Sequence, residues 1–147
     1  MTEHPAISAL RQQVDCYRRL AKLADLQHVH VQQSQTEQLL EVLAGRQEVL
    51  DQLKLFEQTV APQRKRWAEF LGELTPAARG TAEALLAETR ELLERITTAD
   101  RNDALVLQQQ KLNLGRQINQ ASAARQVNRT YAASAYGARP ARVDVQR

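Results

Sequence analysis

Residues 76–129 run PAARGTAEALLAETRELLERITTADRNDALVLQQQKLNLGRQINQASAARQVNR, and the reading of this stretch decides the fold. Thr75 stands before it, a hydroxyl placed to cap the first free amides, and Pro76 follows where a helix needs no amide hydrogen. No further proline occurs in the stretch, and Gly80 and Gly115 are its only glycines. Apolar side chains return at helical spacing through Ala82, Leu85, Leu92, Ile96, Ala99, Leu107, Leu114, Ile118 and Ala121. The stretch reads as one helix, about 80 Å long at about 1.5 Å per residue. A helix of that length has to be covered by other helices of its own chain, by a partner, or by both.

Downstream, the apolar seam is interrupted at Asp100-Arg101-Asn102-Asp103 and resumes more sparsely at Ala104 and Leu107. The long helix is therefore expected to leave the shelter of the preceding helices near this point, with Leu107, Leu114 and Ile118 on a partly open face. From Ala121 the composition turns to Ala, Ser, Asn and Arg, with Tyr131 and Tyr136 as the large side chains, and Gly137-Ala138-Arg139-Pro140 ends any helix. Residues 1–130 read as a helical domain and 131–147 as a flexible basic tail, too poor in apolar residues to fold alone. After Leu114 the chain carries Arg116, Arg125, Arg129, Arg139, Arg142 and Arg147 against Asp144 alone. Such a segment reads first as a solvated basic tail on a nearly neutral body, which is compatible with a tail that seeks an acidic surface.

Upstream, Ile7, Leu10, Val14, Tyr17, Ala21 and Ala24 step by three and four, which predicts a first helix over about Ala6 to Gln33. Ser34-Gln-Thr-Glu37 has the spacing of a capping box. It marks either a new helix folding back on the first or a bend in one long helix; the second helical run is predicted from Thr36 to Val60, broken at Ala61-Pro62, with Gly45 a local cost. Gln63-Arg-Lys-Arg-Trp67 combines charge with an aromatic platform. Trp67, Phe70, Leu71 and Leu74 have amphipathic-helix spacing, so Trp67 is expected to plug the end of a helical bundle. The fold class is all-α: an elongated antiparallel bundle or hairpin of about three long helices.

Composition supports this and narrows function. Of 147 residues 43% are hydrophobic, but only two are Phe, one Trp and three Tyr, which speaks against a β-sandwich. Cys16 is the single cysteine, so no disulfide forms within the chain, and it reads as a small buried thiol. His28 and His30 lie about 200° apart on a helix and share no metal there. No phosphate loop, metal-spaced cluster, Glu-x-x-His pair or nucleophile elbow occurs, so neither an enzyme nor a cofactor is expected. Met1 to Leu10 lacks the pattern of a signal peptide, and no window reaches the length of a membrane span. The expected location is the cytoplasm.

Three passages carry a family resemblance: Tyr17-Arg-Arg-Leu-Ala-Lys-Leu-Ala24, then EQLLEVLAGRQEVLDQL over residues 37–53, then LLERITTADRND over residues 92–103. With the Tyr-containing end at Thr130 to Gly137, the arrangement resembles the FlgN family of flagellar type III export chaperones over roughly Leu20 to Tyr136. The long Ala- and Arg-rich ending from Arg125 departs from the family. The resemblance implies a cytosolic helical chaperone that binds the C-terminal helices of the hook–filament junction proteins FlgK and FlgL, prevents their premature assembly and delivers them to the export gate. It implies a client-facing surface at Leu107, Leu114 and Ile118, with Tyr131 and Tyr136 on a mobile docking tail, in a monomer or weak homo-oligomer. The alternative is a structural coiled-coil or adaptor protein acting by self-association. A nucleic-acid role through Arg64, Lys65, Arg66 and the tail arginines ranks behind both.

Overall fold

Helix α1, Pro5–Gln32, is started by His4, whose Nδ1 accepts the Ala6 amide hydrogen at 3.0 Å. Its buried positions Ala6, Ala9, Gln13, Cys16, Leu20, Ala24, Gln27 and Val31 keep the three- and four-residue steps of a packing stripe, which Ile7, Leu10, Val14 and Ala21 widen. Helix α2 covers Thr36–Lys65, helix α3 Trp67–Glu73 and helix α4 Pro76–Ala135. The computed structural model describes residues 3–135, and the described residues are all-α with no strand. The chain divides into two units, Met1–Val106 and Leu107–Arg147.

Within the first unit, side-chain pairings set the helix directions. Gln13 meets Glu57 and Gln27 meets Arg46, so α1 and α2 run oppositely. Arg18 meets Glu88, Asp25 meets Arg95 and His28 meets Asp103, so α1 and α4 run the same way. One apolar cluster joins Ile7, Leu10 and Val14 of α1 to Val60 of α2, Phe70 of α3, and Ala82 and Leu85 of α4. A second joins Cys16, Leu20 and Ala21 to Val49, Leu53 and Ile96. Phe56 and Leu92 touch both clusters. Burial raises the pKa of the Cys16 thiol, an environment of a packing residue rather than a nucleophile.

Several local expectations change. Ser34 does not cap α2. It takes a left-handed backbone conformation, φ 54°, because only Gln33 to Gln35 separate two oppositely directed helices. Gln35 becomes the N-cap residue and makes no side-chain capping bond. Its amide donates to the His30 carbonyl at 2.9 Å, and its Oε1 lies 2.6 Å from His30 Nδ1. Helix α2 does not break at Pro62 but runs on to Lys65. Pro62 lies within the final turn, where it forfeits one amide bond and the chain beyond needs few more. The helix stops at Arg66, and α3 follows at once.

Phe70, not Trp67, is the fully buried aromatic, 1% exposed. Trp67 is half-buried on it, ring centres 5.6 Å apart, and the His4 ring approaches edge-on at 5.0 Å. The basic cluster is matched by carboxylates: Arg64 holds Glu57 at 2.9 Å, and Arg66 pairs with Glu69 and Glu73. Thr75 caps α4 as its chemistry implies, its Oγ1 accepting from the Ala78 amide at 3.2 Å. Helix α4 continues past Arg129 through Tyr131 to Ala135. Residues 136–147 lie outside the described residues, and with them Tyr136 and most of the expected tail.

Gly45 sits inside α2, and a Cβ there would meet Leu23 side-chain carbons at 3.8 Å, an ordinary van der Waals contact. Gly45→Ala is therefore expected to stabilise the fold by about 1 kcal/mol, the helix-propensity difference. Urea unfolding checks this as a raised midpoint with an unchanged slope.

Candidate partner-binding surface

The first unit ends in a polar cluster, not in a loss of packing. Asp103 is 1% exposed and accepts hydrogen bonds from Gln27 Nε2 at 3.1 Å and from His28 Nδ1 at 2.7 Å. Arg46 grips both oxygens of Asp100 at 2.7 Å and donates to Gln27 Oε1 at 2.6 Å. The hydrogen bonds it donates to Asp100 hold the Arg46 guanidinium charged more firmly than usual, against the opposing effect of burial. Within the polar interruption at 100–103, buried Asp103 and half-buried Asp100 thus tie α4 to α1 and α2, while Arg101 and Asn102 are exposed. The expectation that α4 leaves its shelter near this stretch agrees with the burial, since Asp103 is the last buried position among the described residues, but the stretch itself is packed at Asp103. The signal was available: Asp103 continues the seven-residue steps of Ala82, Thr89 and Ile96, all of them buried.

From Leu107 onward the described residues include none that is buried. Leu107 is 43% exposed, Leu114 58%, Ile118 56% and Tyr131 77%, so four of the five residues expected to bind a partner do present apolar surface; Tyr136 is outside the described residues. At about 100° per residue, Leu107, Leu114 and Ile118 fall within about 40° of arc, one narrow stripe on the helix. Tyr131 lies on another side of the helix, next to Val127. Together with Ala123, Gln126 and Thr130 these two line a shallow hollow. Sequence reading missed Leu112 and Val127, 52% and 57% exposed, because they are off the stripe it followed.

The electrostatics of this segment are one-sided. Lys111, Arg116, Arg125 and Arg129 project from it, and the sequence has no carboxylate between Asp103 and Asp144. Among the described residues none of these four cations has an ion-pair partner. The polar contacts of the segment are local, such as Thr130 Oγ1 to the Gln126 carbonyl at 3.0 Å. Among the described residues no group of three or more His, Cys, Asp and Glu side chains could hold a metal ion. No described helix is long and apolar enough to cross a membrane. The surface is chemically equipped to lie against another apolar surface that carries negative charge.

In comparisons with known proteins, the chain matches no family model, no curated protein and no solved structure.

Proposed function

We propose that this protein is a cytoplasmic export chaperone of the flagellar type III kind, acting by binding and not by catalysis. Its three long helices are read as a bundle in which the later part of α4 holds the C-terminal helices of hook–filament junction proteins of the FlgK and FlgL kind. That contact keeps the client from assembling early and brings it to the export gate. The observation carrying the proposal is the exposed stripe of Leu107, Leu114 and Ile118 on a helical segment in which none of the described residues is buried. A client helix laid on such a stripe removes from water the apolar area that both leave exposed. The resemblance in residues 17–24, 37–53 and 92–103 supplies the identity of the client.

Isothermal calorimetry with the C-terminal segments of FlgK and FlgL tests the reading. The expected result is a micromolar or tighter Kd, about −8 kcal/mol or better. In Leu114→Asp/Ile118→Asp the heat should vanish while the helical circular dichroism persists, since neither side chain is buried. Absence of binding by the folded wild-type chain would sink the proposal. The adaptor alternative requires self-association, and a light-scattering mass that rises with concentration would favour it.

A further inference from the structure

The stripe that carries Leu107, Leu114 and Ile118 changes character along its length. Lys111, Arg125 and Arg129 fall on the same side: at about 100° per residue the six positions span about 60° of arc. The first half of the stripe is apolar with one cation, and the second half is cationic. From Leu107 to Arg129 it measures about 33 Å at about 1.5 Å per residue. All six side chains are exposed, and the three cations have no ion-pair partner among the described residues.

We propose that the partner of this stripe is an amphipathic helix of another protein that is apolar at one end and acidic at the other, its carboxylates meeting Arg125 and Arg129. The inference rests on the helix-binding reading above and adds the client's charge order to it. A second copy of the chain does not fit. Laid parallel, it sets Arg125 and Arg129 against their own like charges; laid antiparallel with the stripes overlapping, it sets Arg129 on Leu107 and Arg125 against Lys111. Nucleic acid satisfies the arginines but leaves Leu107, Leu114 and Ile118 in water, with no aromatic ring on the stripe for a base to stack on. A helix ending in Glu or Asp satisfies both halves at once, and the charge order dictates which way it lies.

The full-length chain tests this by fluorescence anisotropy with two labelled 22-residue helical peptides. Both carry Leu and Ile at helical spacing in one half; the other half carries Glu in the first peptide and Lys in the second. The junction-protein segments serve as a third probe, and a dT20 oligonucleotide and vesicles of phosphatidylserine and phosphatidylcholine as a fourth and fifth. The Glu peptide should bind at least about tenfold tighter than the Lys peptide, and a rise from 50 to 300 mM salt should weaken it about tenfold. Arg125→Glu/Arg129→Glu should invert the preference, a rescue that loss of folding does not produce. Junction-protein segments that bind with no response to salt or to the charge reversal would overturn this inference and leave the helix-binding reading standing. If no peptide or segment binds, both fall. Binding only to the oligonucleotide or to vesicles overturns both as well.

Discussion

Phe70→Ala is expected to lower the unfolding free energy by about 3–5 kcal/mol, the cost of emptying a fully packed aromatic site. Phe70 is 1% exposed and lies in the cluster where all four helices meet, against Ile7, Leu10, Val60 and Ala82. Helix α3 has seven residues, too short to hold itself by hydrogen bonding, so it keeps its place through this side chain. Trp67 and the His4 ring rest on Phe70 and lose their support with it. Against a typical total of about 5–15 kcal/mol, such a loss is a large share. Trp67→Ala, at a half-buried position, should cost visibly less. Urea unfolding followed by circular dichroism measures both, and a Phe70→Ala cost below about 1 kcal/mol would mean that this end of the unit is not packed as described.

The second large effect belongs to Asp103. Asp103→Ala should cost about 1–3 kcal/mol, because the buried Gln27 amide loses its acceptor. The His28 side chain is 41% exposed, so water replaces that partner and the penalty falls mainly on Gln27. Arg46 keeps Asp100 and is expected to hold its place. Replacing both members of the buried pair, Gln27→Leu with Asp103→Leu, should recover much of the loss, since the groups then short of a partner are His28 Nδ1, on a side chain 41% exposed, and one Arg46 donor, whose guanidinium keeps Asp100. Thermal unfolding of the single and double variants forms a cycle whose coupling reads the bond directly. A double variant as unstable as the sum of its singles would show that Asp103 acts through something other than Gln27.

Much of this fold can be read from spacing alone, because its helices are long and their apolar steps regular. The stripe of α1, the Thr75 cap and the continuity of α4 follow from residue types within a few positions of one another. Pro62 and Ser34 do not, because their outcome depends on the surroundings. A proline is tolerated near the end of a helix that is already held by Leu53 and Val60, and a serine turns left-handed when the chain must reverse in three residues. The Asp103 network was hidden for another reason: its partners are 75 and 76 residues away, and a polar residue on a packing seam looks like a gap until the facing residue is known. Leu107, Leu114 and Ile118 were legible as a candidate surface because the same seam goes on after the burying residues give out.

Hydrogen exchange measured by mass spectrometry, with and without a bound FlgK C-terminal segment, tests the central claim most directly. The account predicts that the client slows exchange across residues 107–131 and leaves the amides of α1, α2 and α3 unchanged, because the latter are already paired and packed. Protection appearing instead on α1 or α2, with none on 107–131, would place the client elsewhere and contradict the assignment of Leu107, Leu114 and Ile118 as its seat.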